Sequence, residues 1–207
     1  MKIGLVDYGR GNLHSVAKAL GAVASGVERV ARADEIERCD MLVLPGVGAF
    51  GDAMAALDAQ DLRRPLLDWL QAGRPFLGIC LGYQLLFAES EESPGVRGLG
   101  WLPGRVLRFR PEAGKVPHMG WNEVKFLPAS GWGPCGGYFY HVHSYYPAEV
   151  PLELTACTTE YGGTFASGIR SGQVAAFQFH PEKSQAAGRS LLRRVIEACA
   201  PAPVPAA

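Results

Sequence analysis

Short apolar runs alternate with amphipathic stretches through the first half of the chain. Lys2–Val6 (KIGLV) predicts a strand, and Asn12–Leu20 a helix with Leu13, Val16, Ala17 and Leu20 on one face. Met41–Leu44 (MLVL) predicts a second buried strand, followed by a glycine-rich turn and a helix near Ala53–Leu57. Leu66–Gln71 has helical spacing and closes at Gly73, where a glycine can take the left-handed conformation. Pro75–Ile79 (PFLGI) predicts a third strand, and Gln84–Glu89 the start of another helix. Strands alternating with helices imply right-handed crossovers and an open, mainly parallel α/β sheet with helices on both faces.

From Val106 to Ile169 the pattern changes. Apolar runs shorten, turn residues separate them, and aromatic and β-branched residues become frequent. These features predict added, partly antiparallel strands rather than a second domain. Val174–Phe179 predicts a last strand and Gly188–Ala198 a C-terminal helix. Residues 1–200 thus form one expected domain, and the Pro/Ala-rich tail Pro201–Ala207 is expected to be disordered.

Composition narrows the class without naming a chemistry. Of 207 residues, 48% are hydrophobic and 19% charged, with a formal net charge of zero, as in ordinary globular domains. There is no basic run or stripe of the kind that marks nucleic-acid binding. Met1–Tyr8 has the pattern of a strand rather than a signal peptide, and no apolar stretch approaches the ~20 residues needed to span a bilayer. A soluble, cytoplasmic chain is expected. The five cysteines, Cys39, Cys80, Cys135, Cys157 and Cys199, are odd in number, widely spaced and free of any C-x-x-C pair, which argues against a disulfide framework or a structural zinc site. For each of them a buried or incidental thiol is the default reading.

Cys80 departs from that default. Gly78-Ile79-Cys80-Leu81-Gly82 follows a predicted strand and opens a predicted helix, the layout of a nucleophile elbow. Such a turn strains the central residue, and the flanking glycines leave it room. At a helix N-terminus the thiol meets the positive end of the helix dipole, and the Leu81 N–H points where an oxyanion would form. On the pentapeptide alone, a small apolar cysteine between two structural glycines is an equal reading. Phe177–Glu182 (FQFHPE) places His180 and Glu182 just beyond the last strand, at the sheet end where Cys80 also sits. His180 can serve as general base and acid, with Glu182 fixing its tautomer. His118, His141 and His143 are read as ordinary loop histidines. Pro45–Gly51 (PGVGAFG) supplies N–H groups for the other half of an oxyanion hole or is a plain strand-to-helix turn; no Gly-Lys-Ser/Thr follows to make it a phosphate loop.

Together GICLGYQ, PGVG and FHPE resemble the class I (triad) glutamine amidotransferases. Three further blocks, DYGRGNLHSV at Asp7–Val16, VPHMGWN at Val116–Asn122 and HSYY at His143–Tyr146, resemble the glutaminase-subunit family of imidazole glycerol phosphate synthases, from Lys2 to about Cys199. The resemblance implies Cys80 as nucleophile, His180 as acid/base and Glu182 as orienting carboxylate. It implies Val47, Gly48 and Leu81 at the oxyanion site, and Gln84, Ser144 and Tyr145 at the substrate. It further implies hydrolysis of L-glutamine to glutamate and ammonia, no metal or organic cofactor, and a (β/α)₈-barrel cyclase partner met by Asn12, Trp121 and Lys183. Lys183 on its own is also readable as an idle solvated charge. His141 departs from the family, where an aromatic residue is expected, which leaves the triad intact and bears on packing near the partner face. The rival readings are a glutaminase subunit serving another acceptor synthase, a cysteine peptidase or pyridoxal phosphate synthase glutaminase on a related fold, and a non-catalytic binding subunit.

Overall fold

The computed structural model describes residues 1–132 and 136–199; Cys135 and the tail expected to be disordered lie outside the described residues. The predicted strands of the first half are present as β1 (Ile3–Val6), β3 (Met41–Gly46) and β4 (Phe76–Cys80). Between them lie α1 (Leu13–Gly21), β2 (Val27–Val30), α2 (Ala33–Glu37), α3 (Phe50–Ala59) and α4 (Arg63–Gln71). α5 (Leu81–Gln84) follows β4 directly, and β11 (Val174–Phe177) and α6 (Gln185–Cys199) close the chain. The intervening region supplies β5 (Arg105–Arg108), β6 (His118–Phe126), β7 (Gly137–His143), β8 (Tyr145–Ala148), β9 (Thr155–Glu160) and β10 (Thr164–Ser171).

Nine strands join one sheet in the order β2-β1-β3-β4-β11-β10-β9-β6-β7, and β5 pairs with β8 beside it. The pairs from β2 to β11 are parallel, and those from β11 to β7 antiparallel. The strand period of two sorts the parallel half between two cores. Ile3, Leu5, Met41, Val43, Leu77 and Ile79 pack with Val16 and Leu20 of α1 and Leu191, Leu192 and Val195 of α6. Val6, Leu42, Leu44 and Phe76 pack on the opposite face with Ile36 of α2, Phe50, Met54 and Leu57 of α3, and Leu66, Trp69 and Leu70 of α4. No described helix is long and apolar enough to cross a membrane.

The helix expected over Gln84–Glu89 is absent. α5 is a single turn that ends at Gln84, because the carbonyls after it are taken by another segment. Leu85 O accepts from Leu99 N, Leu86 O from Trp101 N and Leu102 N, and Ala88 O from Gly98 N, at 2.8–2.9 Å. Those acceptors would otherwise close helical turns. The pattern also concealed β2, whose VERV sequence leaves its two central residues exposed at the sheet edge, and the five-residue α2.

A Cβ added to Gly82 would lie 1.9 Å from Leu44 O, and one added to Gly21, the exposed end of α1, would meet nothing within 4 Å. Gly82→Ala should therefore destabilise the protein by about 3 kcal/mol, the upper range of overpacking. Gly21→Ala should be stabilising by about 0.5–1 kcal/mol through backbone entropy. Urea denaturation of the two variants checks this pair; equal stabilities would refute the contact.

Candidate active site

Cys80 is the last residue of β4 and precedes α5, with φ 54° and ψ −105°. That backbone conformation is costly for a residue with a side chain and persists only where packing enforces it. Here α5 presses on β3 through Gly82, and a Cβ on Gly78 would lie 2.9 Å from Gly82 O. β3 and β11 flank β4 and its Cys80, with Gly46 in register with Cys80 and Phe177 with Ile79. The glycine-rich turn leaving β3 and the His180 segment leaving β11 therefore emerge on either side of the sulfur.

Cys80 opens onto a cavity of about 520 Å³ lined also by Val47, Gly48, Leu81, Gln84, Ser144, Tyr145 and Lys183. All six residues implied at the oxyanion and substrate positions thus line the same cavity as the cysteine. Another depression, around Ser90, Arg97 and Arg105, shares none of these residues. Gly48 has φ +99°, and a Cβ placed on it would meet nothing within 4 Å, so the turn faces open space.

His180 and Glu182 are both about 2% exposed at their side chains, and Nδ1 lies 2.7 Å from Glu182 Oε1. The proton therefore belongs on Nδ1 in the neutral ring, an assignment read from the bond, and Nε2 is left without a hydrogen bond among the described residues. Burial alone would lower the pKa of this imidazole. Cys80 and Glu182 outweigh burial and raise it to about 10. The backbone holds the ring in place: His180 N donates to Tyr140 O of β7 at 2.9 Å, and Ser184 Oγ donates to His180 O at 2.7 Å. α6 closes on this segment through Gly188, where a Cβ would lie 1.8 Å from Pro181 O.

Three residues at the site escaped sequence reasoning. Gln178 is fully buried, its Oε1 accepting from Gln84 Nε2 at 3.0 Å and its Nε2 lying 3.8 Å from Cys80 Sγ. Tyr8 donates to Pro45 O at 3.0 Å, anchoring the base of the glycine-rich turn. Glu92 lines the cavity, and its Oε2 accepts from Phe50 N at the start of α3 at 2.7 Å. Burial raises the pKa of that carboxyl. Gln178 and Tyr8 lie inside the FQFHPE and DYGRGNLHSV blocks, so the signal was present in the motifs; Glu92 carried none.

The other histidines are not loop residues. His118 lies on β6 and His141 and His143 on β7, all buried, with a ligand nitrogen from each within 4.8 Å of the others. Those separations would admit a metal ion, but the hydrogen bonds put a proton in its way. His143 Nδ1 donates to Tyr145 O at 2.8 Å, leaving Nε2 as acceptor. Asn122 Nδ2 donates to His118 Nε2 at 3.2 Å, which puts the His118 proton on Nδ1, 3.3 Å from His143 Nε2. The His118 and His141 rings are stacked at 4.4 Å, so their in-plane lone pairs run side by side rather than meeting. Burial lowers the pKa of His118 to about 4 and of His143 to about 3, and lowers that of His141 further. The three form a neutral imidazole cluster. His141 is fully buried against Phe165 and Phe179.

Of the residues implied at a partner face, Trp121 is 47% exposed and edge-on to Tyr140, and Lys183 Nζ stands 5.8 Å above the same Tyr140 ring. Asn12 is the exposed N-cap of α1, its Oδ1 accepting from Ser15 N at 3.2 Å.

Comparison with known proteins matches residues 4–198 to the family described as glutamine amidotransferase class-I. The imidazole glycerol phosphate synthase subunit HisH of Methanothermobacter thermautotrophicus is 48% identical over 197 residues, covering 94% of this chain and 98% of the relative. The subunit of the same name from Rhodopirellula baltica is 45% identical, covering 93% and 95%. A crystal structure of a glutamine amidotransferase superposes with a TM-score of 0.77 at 19% identity, covering 96% of this chain and 99% of that one. The glutaminase domain of Trypanosoma brucei CTPS does so with 0.67 at 15%, covering 96% and 93%. At such identities the superpositions speak for the fold.

The histidine pKa has a consequence for stability. A folded-state value raised from 6.5 to about 10 contributes stability that is fully present below pH 6.5 and lost as pH rises through 10. Glu182→Gln removes part of the cause. The stability difference between parent and variant in chemical denaturation should be largest near pH 6.5 and shrink towards pH 10. A difference that grows over that range would rule out the ion pair.

Proposed function

The chain belongs to the class-I glutamine amidotransferase family, and on that premise we propose that it is the glutaminase subunit of an imidazole glycerol phosphate synthase. One observation carries the chemistry: the elbow cysteine, the glycine-rich turn and the buried His180–Glu182 pair converge at the ends of the adjacent strands β4, β3 and β11. The near-full-length identity to subunits of that synthase, rather than of another acceptor enzyme, carries the specificity.

In this reading the Cys80 thiolate attacks the glutamine carboxamide carbon, and the C–O electron pair collects on an oxyanion facing the Val47, Gly48 and Leu81 amides. His180, protonated and oriented by Glu182, passes its Nε2 proton to the departing nitrogen; the C–N bond breaks and ammonia leaves. Water then attacks the γ-glutamyl thioester, His180 takes up its proton, and the C–S bond breaks to release glutamate. Gln84 Nε2 is spent on Tyr145 O and Gln178 Oε1, so its Oε1 is the atom it offers a substrate. The Glu92 carboxylate on the cavity wall suits the α-ammonium group.

Ammonia in water near neutral pH is mostly ammonium, which is no nucleophile. A dry path to an acceptor keeps it useful, and this is the physical reason for a partner. The partner in this proposal is a (β/α)₈-barrel cyclase that uses the ammonia to form imidazole glycerol phosphate and an aminoimidazole carboxamide ribotide. Lys183, which lines the cavity and stands over Tyr140, is its proposed contact, together with Trp121 and Asn12.

Cys80→Ala should abolish glutamine-dependent synthesis by the complex while synthesis from added ammonium salts continues. Loss of both in a folded complex would contradict a role confined to ammonia release. Lys183→Ala should weaken association and partner-stimulated glutaminase together, by on the order of 1–3 kcal/mol if Lys183 forms a partly desolvated ion pair with a carboxylate of the cyclase. Titration against the cyclase, read by binding and by glutamate release, checks this; unchanged values would move the interface elsewhere.

A further inference from the structure

We propose that Gln178 is a further catalytic residue, which donates its Nε2–H to the Cys80 sulfur and so holds and stabilises the thiolate during both halves of the reaction. The inference rests on the reading of Cys80 as nucleophile and adds a group that the triad and oxyanion turn do not include.

The orientation of the Gln178 amide is fixed by its neighbours. Gln84 Nε2 donates one hydrogen to Tyr145 O and the other to Gln178 Oε1, each at 3.0 Å. Reversing the Gln178 amide would set two NH2 groups face to face. Its oxygen therefore faces Gln84, and its nitrogen faces Cys80 Sγ at 3.8 Å. The backbone is held as well, with Gln178 N donating to Ser167 O at 2.9 Å. Gln178 is 0% exposed, and the sulfur is the hydrogen-bond acceptor the described residues present to its Nε2. A buried amide N–H needs an acceptor, and a thiolate is a far better one than a thiol. The contact thus strengthens when the proton leaves the sulfur.

The reaction uses that gain twice. His180 must pass its proton to the departing nitrogen, and Gln178 keeps the sulfur aimed while it does so. When the thioester hydrolyses, the sulfur leaves as thiolate and meets the same donor. Gln178 is fully buried behind Cys80, and its other contact at the site is the hydrogen bond its Oε1 accepts from Gln84 Nε2.

The titratable groups facing Cys80 are His180 with Glu182 behind it, Tyr8 from the segment after β1, and Glu92, His143 and Lys183 on the cavity wall. All of them are retained in Gln178→Met, which keeps the bulk but removes both the donor to the sulfur and the acceptor for Gln84 Nε2, and in Gln178→Glu, which keeps an acceptor for Gln84 and replaces the donor with a carboxylate. The test follows iodoacetamide labelling of the Cys80 peptide across pH on the full chain, with glutaminase kinetics in the presence of the cyclase. The pH of half-maximal labelling should rise by about one unit in Gln178→Met, and further in Gln178→Glu. kcat should fall about ten- to hundredfold, with KM nearer the parent value in Gln178→Glu, which keeps the acceptor for Gln84, than in Gln178→Met. A labelling profile unmoved in a folded Gln178→Met protein overturns the proposal, whatever happens to kcat; should that variant fail to fold, an unmoved profile in Gln178→Glu does the same. Persistence of glutaminase activity in Cys80→Ala would instead overturn the nucleophile assignment itself, so the two failures are distinguishable.

Discussion

The approach of α5 to the backbone of β3 is the constraint on which the site depends. Gly82 lies so near Leu44 O that no side chain fits between them, and Gly78 makes the matching approach from β4. With both ends of the elbow fixed, Cys80 is forced to φ 54°, and its sulfur is lifted to the cavity rather than folded into the sheet. The same packing sets the glycine-rich turn beside the sulfur, since Gly46 pairs with Cys80 across the β3–β4 ladder. It also confines α5 to one turn, because the chain beyond it gives its carbonyls to residues 98–102.

Electrostatics then divides one residue type into two behaviours. Burial acts on His118, His141, His143 and His180 in the same direction, disfavouring the charged ring. In the first three nothing opposes it except the Tyr145 carbonyl at His143, and they form a neutral cluster. His180 is also buried, but a carboxylate at 2.7 Å and the nearby sulfur reverse the outcome. The neutral cluster borders the site through His143, and the two share an acceptor: Tyr145 O accepts from both His143 Nδ1 and Gln84 Nε2. A rigid interior and a charged reaction centre thus share one backbone acceptor.

The cavity also connects outward. Lys183 lines it and stands over Tyr140, and Tyr140 meets the exposed Trp121 on the neighbouring strand. His180 N is bonded to Tyr140 O, so the exposed face and the backbone of His180 are joined by one hydrogen bond without an intervening loop. A proposed partner surface and the proposed acid/base group are therefore parts of one strand contact, a suitable arrangement for chemistry that is useful only when an acceptor is present.

The parallel half of the fold was legible because its determinants are local: apolar runs of strand length, helical spacing, and glycines where the backbone must turn. The elbow, the glycine-rich turn and the histidine–carboxylate pair were legible for the same reason, each being a short segment whose chemistry is written in adjacent residues. β2 was not, since an edge strand with Glu28 and Arg29 at its centre has no apolar pattern. Nor was the early end of α5, because Leu85, Leu86 and Phe87 look helical until distant amides claim their carbonyls. The strand histidines looked like loop residues because their burial depends on Phe109, Tyr161 and Phe165, which come from other segments. Gln178, Tyr8 and Glu92 gained their roles only when β11, β1 and the segment before Gly95 were brought beside Cys80 and the turn after β3. Sequence by itself determined which residues could do chemistry, through local geometry and residue type; the tertiary structure decided which groups touch them, because hydrogen bonds and desolvation act across space and leave no mark at the spacing of neighbouring residues.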